Sequence, residues 1–125
     1  MRHRTILVVD DEQDVRSLVA MSLEMGAGWT VVEEADGGRA VERAEEVRPD
    51  MIILDVNLGG RDGPSVLADL RQHARTATIP VIFLTGNVRP EETRVLRALG
   101  AGVLAKPFDP MNLAAMIMAE AGWSD

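Results

Sequence analysis

Short apolar runs and amphipathic segments alternate five times along this chain, and this alternation restricts its fold more than any other feature. Most of the apolar runs are rich in Val, Ile and Leu, and each has the length of one strand. Each is followed by a segment whose apolar residues recur at helical spacing. The predicted strands cover residues 5–9, 29–33, 51–54, 81–84 and 102–105, and the predicted helices cover residues 13–25, 38–47, 63–74, 91–99 and 110–121.

The strands are predicted to be buried on both faces, because their apolar residues are continuous where a half-exposed strand would alternate. Strict β-α alternation favours right-handed crossovers and a parallel sheet covered by helices on both sides. A closed eight-fold barrel would need about twice this length, and 125 residues accommodate one domain. We therefore expect a single open, three-layer α/β domain over residues 1–125.

The composition excludes several classes of function. The chain has no cysteine, so disulfide scaffolds, zinc-thiolate sites and thiol nucleophiles are ruled out. A net charge of −7 and an aromatic content of 3% argue against direct nucleic-acid binding. No apolar run is long enough for a membrane span or a signal peptide, since the first one stops at Asp10. We expect a cytoplasmic protein that does not bind membranes.

Polar residues of complementary kinds follow four of the five predicted strands. The carboxyl ends of parallel strands share one edge of the sheet, which is where ligands of open α/β sheets bind. These residues are Asp10, Asp11 and Glu12 after the first strand, Asp55 after the third, Thr85 after the fourth and Lys106 after the fifth.

This group of residues predicts phosphoryl chemistry at the sheet edge. If the first and third strands are neighbours, Asp10, Asp11 and Asp55 lie close enough to repel, which either raises a pKa or requires a cation. Ligand sets made only of oxygen suit Mg²⁺. Lys106 and Thr85 would bind the oxygens of a transferring phosphoryl group, which leaves Asp55 as the nucleophile that forms an acyl phosphate.

Each acidic residue also has a simpler interpretation. Asp10 or Asp11 could cap the following helix, and Asp55 could be a turn residue before Gly59 and Gly60. The joint placement of acidic residues, Thr85 and Lys106 after four strands that share one edge favours the phosphoryl site.

Over residues 5–122 the sequence resembles the receiver domain of bacterial two-component response regulators. The segments that carry the resemblance are Ile6-Leu7-Val8-Val9-Asp10-Asp11-Glu12, Pro49-Asp50-Met51-Ile52-Ile53-Leu54-Asp55, Asp62-Gly63, Ile79-Pro80-Val81-Ile82-Phe83-Leu84-Thr85 and Lys106-Pro107-Phe108. The resemblance implies a flavodoxin-like (βα)5 fold with strand order 2-1-3-4-5.

The resemblance also implies a role for each site residue. Asp55 would take a phosphoryl group from a phosphohistidine on a sensor histidine kinase or histidine phosphotransfer protein, and the domain would catalyse only its own phosphorylation and dephosphorylation. By the same resemblance, Mg²⁺ would be bound by Asp10, Asp11, Asp55 and the backbone carbonyl of Asn57. Thr85 and Lys106 would contact the phosphoryl group, and the Lys106–Pro107 peptide bond would be cis. Asn57 and Asn87 would flank the phosphoryl site and tune hydrolysis.

Three positions depart from the family pattern. Val103 stands where the family usually has Tyr or Phe, Gly59 where it favours Pro, and Arg61 where it favours an apolar residue. We therefore expect a looser loop over residues 58–61 and an output mechanism that does not use an aromatic ring.

The last predicted helix suggests an output surface, because Asn112 is the only polar residue between Met111 and Ala119. We expect a surface of Val103, Met111, Met116 and Met118 that contacts a downstream protein or a second copy of the chain. In the alternative interpretation, the alanines of this helix are too small to form an adhesive patch.

Two other functions compete with the phosphoacceptor. A degenerate receiver that serves only as an interaction module would be expected to lack the acceptor, an acidic residue or the lysine. An aspartyl-nucleophile phosphohydrolase would carry an Asp-x-Asp pattern after its first strand and a cap over the substrate. No output domain follows Asp125, so we expect a stand-alone receiver or the receiver part of a longer regulator.

Overall fold

Five parallel strands form one sheet at the centre of the protein. The structure is a computed structural model that describes residues 2–86, 89–99 and 102–124. The strands are β1 (Thr5–Val9), β2 (Thr30–Glu34), β3 (Met51–Asp55), β4 (Val81–Thr85) and β5 (Gly102–Ala105). Their spatial order is β2-β1-β3-β4-β5, and every neighbouring pair is parallel. The predicted flavodoxin-like topology is confirmed.

The five helices lie in two layers, one on each face of the sheet. They are α1 (Gln13–Ala27), α2 (Ala40–Val47), α3 (Gly63–Gln72), α4 (Pro90–Ala98) and α5 (Leu113–Ala121). Leu7, Ile52 and Phe83 belong to the core beneath α2, α3 and α4. The core beneath α1 and α5 contains Ile6, Ile53, Ile82 and Leu104. Burial on both faces explains why the strand sequences do not alternate.

Two helices, α2 and α5, begin later than predicted, at points where a side chain accepts a hydrogen bond from the local backbone. The segment Gly37–Arg39 forms a 3₁₀ turn, in which the Gly38 N–H donates to the Asp36 side chain. Helix α5 begins at Leu113, three residues later than predicted, because Asp109 accepts the Met111 N–H at 3.0 Å. Short polar side chains of this kind favour turns over helix interiors.

The loop between β3 and α3 contains a minimal antiparallel hairpin, in which Asn57–Leu58 pairs with Arg61–Asp62. Gly59 turns the chain with a φ of 68°, a conformation that glycine adopts without strain. An Arg61 guanidinium nitrogen lies 2.7 Å from Asp69 Oδ2 on α3. The predicted looseness of this loop stays a prediction.

Asp62 caps α3, and Asp62→Ala is expected to lower the free energy of unfolding by about 1 kcal/mol. The Ser65 N–H donates to Asp62 Oδ1 at 2.8 Å, and this bond lowers the pKa of Asp62. A lowered pKa means that the stabilisation is present above the ordinary value of 3.8 and is lost as the pH falls through the lowered value. Urea denaturation at pH 7 measures the loss. Asp62→Asn, which keeps an acceptor oxygen, should retain most of the stability, and equal losses in both variants would contradict the cap.

The two tryptophans meet at the amino edge of the sheet. The rings of Trp29 and Trp123 are nearly perpendicular, with centroids 5.9 Å apart. The Arg4 guanidinium lies 3.8 Å from the Trp123 ring centroid, in a cation–π contact. The Trp29 indole N–H donates to the carbonyl of Arg2 at 3.1 Å. This tryptophan pair therefore holds the segment after α5 against the start of β1 and β2.

The predicted output surface requires a correction at Val103. Its side chain is only 8% exposed and belongs to the core between β5 and α4, so it cannot contribute to a surface. Met116 and Met118 are half-buried against the other core, while Met111 is 91% exposed. The exposed positions of α5 include Ala115 and Ala119, as the alternative interpretation requires. A homodimer through α5 stays a prediction.

Large apolar side chains are also exposed on α1, at Met21 and Met25, on α4, at Val95, and just after α4, at Leu99. Among the described residues, no helix combines the length and the apolar character that crossing a membrane would require.

Candidate functional site

The carboxyl edge of the sheet brings the predicted site residues together. Asp10 follows β1, Asp55 ends β3, Thr85 ends β4 and Lys106 follows β5. Because Val9 pairs with Leu54, the two aspartates continue their strands side by side. Asp10 and Asp55 are 1% and 5% exposed, which is rare for carboxylates without a partner.

Four carboxylates form an acidic cluster at this edge. Oxygen atoms of Asp10, Asp11, Glu12 and Asp55 all lie within 4.8 Å of one another. Asp11 and Glu12 are exposed at the rim, whereas the other two are buried. The sequence predicts Glu12 at this edge without indicating a role for it, and the structure adds its carboxylate to the cluster.

Lys106 places its ammonium group inside the acidic cluster. Its Nζ atom lies 3.2 Å from Asp10 Oδ2, 3.2 Å from Asp55 Oδ1 and 3.5 Å from Glu12 Oε1. The Lys106 N–H donates to the Thr85 carbonyl at 2.7 Å, and the Lys106–Pro107 peptide bond is cis. The backbone of this residue is therefore fixed to the end of β4 while its side chain reaches across to β1 and β3.

The acidic cluster perturbs the ionisation of both central groups. Burial, and then the Asp10 carboxylate, raise the pKa of Asp55 despite the opposing effects of Lys106 and of a hydrogen bond from Asn57. Burial alone would lower the pKa of Lys106, but the carboxylates of Asp55 and Asp10 outweigh it and raise the pKa. One ammonium faces four carboxylates, so the site retains negative charge that a further cation would neutralise.

The donor set fits a hard divalent cation. All four side chains offer carboxylate oxygen, which is the ligand type that Mg²⁺ and Ca²⁺ prefer. Asp10 Oδ1 accepts the Glu12 N–H at 2.9 Å, which orients the carboxylate. The buried Asp10 Oδ2 accepts no hydrogen bond of standard geometry from the described residues and has Lys106 Nζ as an ionic neighbour. This atom is available as a ligand, whereas the role predicted for the Asn57 carbonyl stays a prediction.

Thr85 is buried beside a cavity of about 420 Å³ that adjoins the site. The cavity separates the ends of β3 and β4 from α4, and Asn57, Glu92 and Leu96 also line it. Asn87, to which sequence analysis gave a role in hydrolysis, lies outside the described residues.

The sequence did not indicate the supporting roles of two further residues, Gly63 and Arg16. Gly63 starts α3 against the end of β3, where a Cβ atom would lie 2.6 Å from the Asp55 carbonyl oxygen. Arg16 donates from Nη1 to the Asp10 carbonyl at 2.7 Å and also pairs with Glu33. Two features of the sequence could have indicated these roles: Gly63 directly follows the helix cap Asp62, and Arg16 lies one turn into α1 after the acidic residues.

Comparisons with known proteins agree with this geometry. A sequence profile described as "Response regulator receiver domain" matches residues 6–118. The phosphate regulon transcriptional regulatory protein PhoB of Escherichia coli (strain K12) is 40% identical over 119 residues, covering 93% of this chain and 51% of that protein. The alkaline phosphatase synthesis transcriptional regulatory protein PhoP of Bacillus subtilis (strain 168) is 36% identical over 118 residues, covering 94% and 48%.

Among solved structures, the chemotaxis protein CheY4 of Vibrio cholerae superimposes with a TM-score of 0.86 at 32% identity, covering 95% of this chain and 99% of that one. A response regulator from Chloroflexus aurantiacus gives a TM-score of 0.85 at 33% identity, covering 97% and 99%. The chain spans about half the length of the two curated relatives described above.

Proposed function

Because this chain belongs to the receiver domains of response regulators, we propose that Asp55 accepts a phosphoryl group from a phosphohistidine. The donor is a sensor histidine kinase or a histidine phosphotransfer protein, and the acyl phosphate switches the binding of a downstream protein. The observation that carries the proposal is the buried Asp55 carboxylate, held 3.2 Å from Lys106 Nζ inside an acidic cluster.

In the transfer step, an Asp55 carboxylate oxygen attacks phosphorus, and a P–O bond forms while the P–N bond to the donor ring breaks. The ring, protonated at its other nitrogen, takes the electron pair of that bond and leaves as neutral imidazole. Lys106 Nζ lies where it can compensate the charge on the acceptor and on a phosphoryl oxygen. Thr85, at the end of the neighbouring strand β4, contributes a hydroxyl donor.

Mg²⁺ is proposed as the cofactor, held by Asp10, Asp11 and Asp55. When bound, it supplies charge neutralisation on the phosphoryl oxygens and favours the ionised form of the acceptor, which burial disfavours. Water attack on phosphorus later returns the Asp55 carboxylate and releases inorganic phosphate. The domain thus catalyses only its own phosphorylation and dephosphorylation.

Asp55→Asn is expected to abolish phosphorylation. Incubation with acetyl phosphate and Mg²⁺ should add one phosphate to the wild-type chain by intact mass and none to the variant. Asp14→Asn, which removes an exposed carboxylate in the first turn of α1, is the matched control and should be labelled like the wild type. Equal labelling of Asp55→Asn would refute the assignment.

The same experiment separates the rival functions. An interaction module without phosphoacceptor activity would take no label under any condition. A phosphohydrolase would release inorganic phosphate from acetyl phosphate continuously without accumulating the adduct. A labelled chain that decays after removal of acetyl phosphate supports the receiver.

A further inference from the structure

Helix α4 is the least anchored helix of the fold. Leu96 is its only buried side chain among the described residues, whereas α1 buries four side chains and α3 buries three. Val95 of this helix is 60% exposed, and Leu99, which directly follows the helix, is 44% exposed. The cavity of about 420 Å³ next to Thr85 also lies under this helix. Elements with few buried contacts have low local stability. The position of α4 therefore depends strongly on its polar contacts with neighbouring elements.

One carboxylate ties α4 to two other elements. Glu120, on α5, accepts two hydrogen bonds from the Arg97 guanidinium, at 2.8 Å to Oε1 and 3.3 Å to Oε2. Its Oε1 atom also accepts the Val103 N–H at 3.1 Å. Two-pronged contacts between arginine and carboxylate fix geometry better than a single ion pair does. Glu120 therefore joins α4, the edge strand β5 and α5 through a single group.

The absence of a side chain at Gly102 leaves room for the Glu120 side chain beside β5. A Cβ atom at Gly102 would lie 3.4 Å from Glu120 Cβ, 3.6 Å from Glu120 Cδ and 3.2 Å from Ile82 Cγ1. The missing side chain leaves the space through which the carboxylate reaches Arg97. The hydrogen bond from Arg97 lowers the pKa of Glu120, which keeps it ionised at neutral pH.

We propose that Arg97 and Glu120 are positioning residues that hold α4 in the conformation of the unphosphorylated domain and so weaken the binding of a phosphoryl group at Asp55. The proposal rests on the phosphoacceptor function proposed above. Thr85 and α4 are separated by only four residues, and Glu92 and Leu96 of α4 line the same cavity as Thr85. A movement of Thr85 toward a phosphoryl group on Asp55 therefore pulls on α4, and the Glu120 contact opposes it.

Beryllofluoride, a phosphoryl mimic, tests the proposal by titration calorimetry on the whole chain with Mg²⁺. Glu120→Gln and Arg97→Met should each bind it about three-fold more tightly than the wild type, because a contact made only in the unbound conformation is lost. The double variant should bind no more tightly than either single variant. Glu42→Gln, which removes an exposed ion pair between α2 and Arg39 just before it, is the control and should keep wild-type affinity.

Hydrogen exchange supplies a second readout. In the wild type, beryllofluoride should speed exchange of the Val103 amide, which donates to Glu120 in the unbound domain. Unchanged affinity in both variants would overturn the proposal, whatever their melting temperatures, and so would an equally protected Val103 amide. If the wild type binds no beryllofluoride and takes no label from acetyl phosphate, the phosphoacceptor function itself fails. If the wild type binds beryllofluoride tightly and the variants bind it with the same affinity, only the role proposed for Arg97 and Glu120 is contradicted.

Discussion

Lys106→Met is expected to lower the free energy of unfolding by about 2 kcal/mol when Mg²⁺ is chelated. The ammonium lies 3.2 Å from both Asp10 and Asp55, and no other side-chain cation of the described residues is within salt-bridge distance of them. Removing it leaves two buried carboxylates that repel each other. Saturating Mg²⁺ should restore most of the stability, because the metal binds the folded state and replaces the lost charge. Urea denaturation at pH 7, with and without Mg²⁺, measures both effects.

Asp55→Asn is the matched variant, and its stability should change in the opposite direction. Burial and the Asp10 carboxylate raise the pKa of Asp55, so the folded domain binds this proton more tightly than the unfolded chain does. Wild-type stability is therefore lost as the pH rises from the ordinary value of 3.8 through the raised one. Above that range the asparagine variant avoids the loss and should be the more stable protein in chelator. A decrease in both variants would contradict this account of the acidic cluster.

Gly63→Ala should destabilise the fold by about 2–3 kcal/mol and slow phosphorylation by acetyl phosphate roughly ten-fold. The added Cβ would lie 2.6 Å from the Asp55 carbonyl oxygen, 2.8 Å from Phe83 Cε1 and 3.0 Å from Val56 Cα. Two of these neighbours are backbone atoms, so either α3 or the end of β3 must move. The better helix propensity of alanine, worth up to about 1 kcal/mol, does not offset the clash. Because the displaced strand carries Asp55, the proposed acceptor, both stability and reactivity should fall.

Gly60→Ala controls for the loss of a glycine in the same loop. Apart from Gly60 and its two chain neighbours, no atom lies within 4 Å of the Cβ position at Gly60, so the stability and labelling rate of this variant should stay near those of the wild type. Denaturation and the initial rate of mass increase are compared for the two variants. A Gly63→Ala protein that folds and labels like Gly60→Ala would show that the start of α3 does not press on the end of β3.

The sheet and its reactive edge could be predicted because both depend on local sequence. Apolar runs without alternation indicate strands buried on two faces, and alternation with helices makes them parallel. Residues that follow parallel strands then share an edge, which places Asp10, Asp55 and Lys106 in one site without any knowledge of their distances. The parallel topology and the clustering of these three residues are both confirmed.

Other features depend on contacts between residues far apart in sequence. Arg97 and Glu120 are 23 residues apart, on different helices, and nothing in either segment indicates that they meet. The face on which Val103 lies depends on the register of β5 against β4, where Phe83 pairs with Val103. A one-residue change of register would move that side chain to the other face of the sheet. The start of α5 depended on the side chain of Asp109, which competes with the helix for backbone N–H groups.

The position of the tryptophan pair determines what intrinsic fluorescence can report. Both tryptophans of the chain are at the amino edge of the sheet, whereas Asp55 ends a five-residue strand at the opposite edge, about 17 Å away along the strand direction. Indole emission will therefore follow unfolding and detachment of the segment around Trp123. It will be nearly blind to Mg²⁺ and to the phosphoryl group, so optical assays of the site need a reporter attached near the carboxyl edge.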